Sequence, residues 1–130
     1  MKKLIILLLC IMFATVIVTG CSNVLHRSTL PDISGTWNGE VESETGDIQR
    51  GVMEITKNAD GTLAGMLIAT DGGMPNTPID VITLKGSKIH FEIPSMNGVF
   101  DGVVTDKGTT ISGEWLINDI KFKVVMKKEQ

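Results

Sequence analysis

Tyrosine is absent from this chain of 130 residues, and aromatic residues of any kind make up only 5% of it. No pocket here can be built on phenolic hydroxyls, and two tryptophans and four phenylalanines must supply every large ring. Cysteine is nearly absent too: Cys10 and Cys21 stand near the start and none follows. Everything after residue 21 therefore lacks a disulfide, a thiolate zinc site and a cysteine nucleophile. Positive charge is short, with twelve Lys and Arg against fifteen Asp and Glu for a formal charge of −3. Without a basic patch, neither nucleic acid nor a polybasic contact with lipid is an expected partner. The pairs Asp60-Gly61, Asp71-Gly72 and Asp101-Gly102 lack the Asp-x-Asp-x-Asp-Gly spacing of a calcium loop, so no metal is expected, and no cofactor either. Helical periodicity is missing from Ser34 onward, which leaves an all-β reading of that part.

What is present begins with Lys2 and Lys3, an apolar run from Leu4 to Val18, then Thr19 and Gly20 before Cys21. The run falls short of the roughly 20 apolar residues that span a bilayer and reads as a secretory signal, residues 1–20. Val18-Thr19-Gly20-Cys21 resembles the lipobox of bacterial lipoproteins. That resemblance implies a diacylglyceryl group on the Cys21 thiol, cleavage before Cys21 and often a further acyl chain, such as palmitate, on the new amino terminus. Each buried CH₂ contributes about 0.8 kcal/mol, so two or three chains anchor a protein firmly. The alternative is an ordinary secretory signal in which the cysteine is incidental. With Lys2 and Lys3 removed, ten basic residues face fifteen acidic ones, a formal charge of about −5. The expected location is the cell envelope, with the membrane as partner through Cys21. Ser22 after the cysteine implies, by the sorting rule of enteric bacteria, the outer membrane where a cell has two. Residues 21–32 read as the lipidated cysteine and a polar tether, and 33–128 as one domain.

That domain reads as eight strands: Ser34–Ser43, Ile48–Lys57, Thr62–Thr70, Ile79–Lys85, Lys88–Ile93, Val99–Thr105, Thr110–Ile117 and Ile120–Lys127. The links are turns of two to five residues, apart from the longer Asp71–Pro78. Strands so closely linked pair antiparallel with their sequence neighbours. Eight in succession make an up-and-down meander, and closing it into a small barrel removes the exposed edges; a two-layer sandwich is the alternative. Period two puts Trp37, Met53, Ile55, Phe91, Phe100, Trp115, Val124 and Met126 inward and nearly all charge outward. Gly39, Gly51, Gly65, Gly102 and Gly113 share the inward parity, where each costs about 0.5–1 kcal/mol. They either make room for large rings filling the centre or leave a cavity for one small apolar ligand. In the second case Trp37, Met53, Phe91, Phe100 and Trp115 would line it.

Gly35-Thr36-Trp37-Asn38-Gly39, Asp60-Gly61-Thr62-Leu63-Ala64-Gly65, Gly98-Val99-Phe100-Asp101-Gly102 and Gly108-Thr109-Thr110-Ile111-Ser112-Gly113-Glu114-Trp115 form a series. It resembles a β-rich accessory domain that precedes some bacterial α/β-hydrolases and also occurs as free-standing envelope proteins. The likeness runs from Ile33 to about Lys128. It carries no activity across, because the Gly-x-Ser-x-Gly elbow of the hydrolase is missing. Gly35-Thr36-Trp37 also resembles the opening of lipocalin and avidin-type barrels, in which such a tryptophan closes the floor.

No catalytic residue is expected. His90, the one histidine of the domain, has outward parity with Glu92 as its neighbour on that face and no nucleophile at hand. Glu40, Glu42 and Glu44 form an outward stripe on a convex wall, where paired carboxylates do not face each other across a substrate groove. The loops Asp71–Pro78 and Pro94–Gly98 are different in kind, being glycine- and proline-rich with Met74 and Met96 in them. Strand alternation puts both at one end of the barrel with Glu44–Asp47. Met74, Pro75, Met96 and Asn97 would rim a mouth there. The expected function is non-enzymatic: capture of a small apolar ligand or an envelope partner through that mouth. The alternative is an interaction or inhibitor protein acting through its outer face around a solid core.

Overall fold

The computed structural model describes residues 30–68, 71 and 73–130. The signal, Cys21 and the tether up to residue 29 lie outside the described residues, as do Ala69 and Thr70 at the expected end of the third strand. Nine strands follow one another: β1 Gly35–Glu42, β2 Ile48–Lys57, β3 Leu63–Ile68, β4 Thr77–Ile79, β5 Val81–Lys85, β6 Lys88–Ile93, β7 Gly98–Thr105, β8 Thr110–Ile117 and β9 Ile120–Lys128. They form one antiparallel sheet in the order β4-β3-β2-β1-β9-β8-β7-β6-β5. The first and last strands pair, from Trp37 opposite Lys128 to Glu42 opposite Lys123, as a closed meander requires.

The ninth strand corrects the expected count of eight. Ile79–Lys85 is two strands, and the loop read as Asp71–Pro78 gives up Thr77 and Pro78 to the first of them. β4 pairs with β3, with Gly65 opposite Ile79. The chain then bends at Asp80, whose N–H donates to the Glu92 carbonyl at 3.1 Å, and β5 continues along β6. Pro78 has no N–H to give, so it fits an edge strand with a free side and no interior one. The sheet is thus nearly closed, its seam lying between β3 and β5. Side chains cover that seam: a Cβ on Gly65 would lie 2.7 Å from Ile82 Cδ1 and 2.9 Å from Ile79 Cδ1, one residue from each side of the bend. The sandwich alternative is set aside.

Alternating strand direction gives the barrel two distinct ends. The turns at 58–62, 86–87 and 106–109 share one, the floor. The connections at 43–47 and 94–97, the one after β3, and Asn118-Asp119 share the other, the mouth. Asn118 (φ 48°) and Asp119 (φ 66°) both take the left-handed conformation that a two-residue hairpin demands.

The floor is plugged from the N-terminal side. Ile33 is buried, and its carbonyl accepts the Trp37 indole N–H at 2.9 Å. Lys128 Nζ donates to the Asp32 carbonyl at 2.9 Å. The Ser34 hydroxyl and N–H both donate to the Asp32 carboxylate and hold its pKa below the ordinary value. The stretch read as the end of the tether is therefore pinned to the barrel from Pro31 on, with Pro31 Cβ against the bare Cα side of Gly108. The buried core among the described residues runs from Ile33 to Met126, so the domain supplies its own interior.

Candidate functional site

The interior divides into a filled part and a small unfilled one. Trp37, Met53, Phe91 and Phe100 are each at most 1% exposed and pack in a continuous core. Phe91 and Phe100 stack with centroids 4.4 Å apart, and Phe91 meets Trp115 edge-on at 6.2 Å. Offset-stacked and edge-to-face pairs of this kind add about 0.5–1.5 kcal/mol beyond their buried area. The glycines make this filling possible, since a Cβ on Gly102 would stand 2.6 Å from Phe100 Cζ.

Above the stack, at the mouth, a cavity of about 130 Å³ opens to solvent. Its walls are the last inward positions of strands that end or begin there: Val41, Gln49, Leu67, Trp115, Ile117 and Phe122. Met74 and Met96 complete it from the two loops. Asp71 anchors the first of these loops to β2, its N–H donating to the Arg50 carbonyl at 3.4 Å and its carboxylate accepting the Arg50 N–H at 3.3 Å. The lining is nearly all apolar. The Arg50 guanidinium is engaged elsewhere, on Glu40 at 3.2 Å, in an exposed pair worth at most about 1 kcal/mol.

Of the residues expected to line a cavity, the structure places Trp115 on the wall. Trp37, Met53, Phe91 and Phe100 lie in the packed core instead. Of the expected rim, Met74 and Met96 line the cavity. Pro75 is exposed beside it, its carbonyl accepting the Thr77 hydroxyl at 2.8 Å. Asn97 takes a left-handed conformation (φ 49°) to end the 3₁₀ turn Pro94–Met96 and donates from its side chain to Asn118 at 3.4 Å. Val41, Gln49, Leu67, Ile117 and Phe122 were not among the sequence candidates. Their signal is position: each is an inward residue within one to three places of a mouth-side turn.

Trp115 has one unusual atom. It is 7% exposed, and its indole Nε1, itself buried, has no hydrogen-bond partner, the only such side-chain atom found among the described residues. A buried donor left unpaired costs about 1–3 kcal/mol. The other indole, on Trp37, is bonded to Ile33. Gly98 borders the unpaired atom, since a Cβ there would sit 2.8 Å from it and 3.5 Å from Ile117 Cγ1.

On the outer wall the structure adds a partner that the sequence reading did not see. His90 Nδ1 is 2.7 Å from Asp101 Oδ1, while Nε2 is 3.2 Å from Glu92 Oε1. β6 and β7 pair with Ile93 opposite Gly98, so His90 falls opposite Asp101. The hydrogen bond to Asp101 and then that to Glu92 raise the His90 pKa above its ordinary 6.5. Both nitrogens are occupied by carboxylates and no hydroxyl bonds to the ring, so the group is an electrostatic clasp on the sheet. The folded pKa lies above the unfolded one. The clasp's stabilisation is therefore fully present below pH 6.5 and disappears as pH rises through the raised value. Because the ring is about one-third exposed, the contribution is at most about 1 kcal/mol. The melting temperature should fall by a few degrees as pH rises from 6 through that value, and His90→Gln should flatten this slope. Equal slopes for the two proteins in a pH series of thermal melts would rule the clasp out.

No family model matches the chain, and no curated protein matches it. Among solved structures it is similar to a redesigned β-barrel, at 20% identity and a TM-score of 0.57, covering 75% of this chain and 92% of that one. The likeness supports the barrel fold.

Proposed function

We propose that this protein is a lipid-anchored module of the bacterial cell envelope that binds without catalysis, taking a small apolar group into the mouth of its barrel. The observation that carries the reading is the cavity of about 130 Å³ between Trp115, Phe122, Met74 and Met96. An engineered apolar cavity of about 150 Å³ stays dry and accepts benzene, so this one suits a single ring or the end of a short acyl chain. Burial of one such group is worth only about 2–3 kcal/mol. A useful ligand or partner therefore extends past the rim and touches the loops as well. Two methionines suit this, being unbranched and able to repack around different shapes.

The lipobox supports the anchoring half of the proposal. The described chain joins the barrel at the floor, through Pro31–Ile33, on the end away from the cavity. A lipid on Cys21 would then tether the floor and leave the mouth open to the envelope space. This orientation fits a ligand or partner met outside the bilayer.

The test is an NMR titration of residues 22–130, labelled at the methionine methyls, with toluene as probe. Met74 and Met96 should shift, while Met53 and Met126 in the packed core stay in place. Unmoved signals at both mouth methionines would defeat the reading. Met74→Ala should weaken toluene binding several-fold yet leave the melting temperature nearly unchanged, since Met74 is 39% exposed. A large fall in melting temperature would make Met74 part of the core and remove it from the mouth.

A further inference from the structure

The cavity is mostly apolar, with Gln49 and Arg50 at its exposed edge, and its most buried wall residue, Trp115, carries an indole N–H that is buried and has no acceptor. Trp37 shows that this chain can satisfy a buried indole from its own backbone when nothing else is needed there. At Trp115 the neighbouring strand instead presents Gly98, which brings bare backbone up to the nitrogen and supplies no side-chain oxygen. The wall residues Met96 and Ile117 stand at the same end, and both are only partly buried. Met96, unbranched and adaptable, is a wall residue well suited to move aside as a ligand enters.

We propose that the group held at the mouth carries an uncharged carbonyl oxygen next to its apolar part, and that the Trp115 indole N–H donates to it. The inference rests on the mouth being the binding site. An ester, amide or ketone fits better than a carboxylate. A charged oxygen buried here would need a cation, and the nearest one, Arg50, points its guanidinium at Glu40. The ligand class is thus a short acyl or aryl group attached through a neutral carbonyl.

Two probes of the same shape separate the possibilities: acetophenone, and α-methylstyrene, in which a CH₂ group replaces the carbonyl oxygen. The chain has two tryptophans, so a ¹⁵N spectrum of residues 22–130 carries two indole N–H signals. Trp115→Phe identifies one by its loss, and Trp37→Phe identifies the other should the first variant fold poorly. Both probes should shift the Met74 and Met96 methyls. Only acetophenone should move the Trp115 indole proton downfield, towards the position of the bonded Trp37 indole. Ring-current effects are common to both probes and cancel in the comparison. Relative to α-methylstyrene, acetophenone should lose about fivefold in affinity when Trp115 becomes Phe. If both probes shift the methyls but displace the indole signal equally or not at all, the carbonyl inference is overturned and the mouth reading stands. If neither probe shifts the methyls, the mouth reading itself falls.

Discussion

Gly113→Ala, the addition of one methyl group, is expected to destabilise the domain by about 3 kcal/mol or more. Gly113 on β8 lies opposite Gly102 on β7, and both face inward. A Cβ on Gly113 would lie 2.5 Å from the Gly102 Cα and would overlap the Asp101 carbonyl oxygen. Both obstacles are backbone inside a paired strand, so relief requires moving β7 and the Phe100 ring it carries. The gain from replacing glycine with alanine, about 0.5–1 kcal/mol of strand preference, is too small to compensate. A domain of this size is stable by about 5–15 kcal/mol in total, so the loss is a large share of it. Gly39→Ala is the matched control. There the added Cβ would meet Met126 Cγ at 3.0 Å, the middle of a flexible side chain that can give way, and its effect should stay within about 1 kcal/mol. Urea unfolding of the three proteins decides the matter. Equal midpoints for Gly113→Ala and Gly39→Ala would mean that the close strand approach is not real.

The inward glycines explain why most of this fold was legible in the sequence and why part of it was not. Alternation along Trp37-Asn38-Gly39-Glu40 or Ile89-His90-Phe91-Glu92 assigns each residue to a face, because a strand has only two. The turns at Asn58–Gly61, Gly86-Ser87 and Asn118-Asp119 then force neighbouring strands to pair. Closure between β1 and β9 follows from the need to hide two long edges. The bend at Asp80 has no such local signal: Ile79 and Val81 are both good strand formers, and only the demand that one segment pair first with β3 and then with β6 breaks the strand between them. The mouth was legible as a place, since loop parity puts Met74 and Met96 at one end. Its walls were not, because the boundary between filled and unfilled interior depends on how far the Phe91–Phe100 stack rises. Asp101 beside His90 was within reach of the sequence. A four-residue connection from Ile93 to Gly98 sets their register, and outward parity did the rest.

That boundary is tested most sharply at Phe100. Phe100→Ala should lower stability by about 3–5 kcal/mol, which for a domain of this length lowers the melting temperature by roughly 15–30 °C. The ring is fully buried, stacked on Phe91 at 4.4 Å, and occupies the room left by Gly102. The glycines beside it, Gly102 and Gly113, have no side chains to fill the space it would vacate, and Phe91 is also packed against Trp115. The hole should therefore persist, and benzene should refill it. Saturating benzene should raise the melting temperature of Phe100→Ala well beyond any rise it causes in the unaltered protein, since a ligand that binds only the folded state stabilises it by mass action. Phe100→Glu, which places an unpaired charge at the same point, should leave the domain unfolded at 25 °C. The comparison separates the two designs that the glycines permit. If Phe100 lined an open cavity, its loss would cost little, benzene would act on both proteins alike, and the binding site would extend to the middle of the barrel. A large loss recovered by benzene confines the natural site to the space above the stack. There Trp115 is the deepest wall residue, and its N–H is the buried, unpaired donor a ligand can use to fix its orientation.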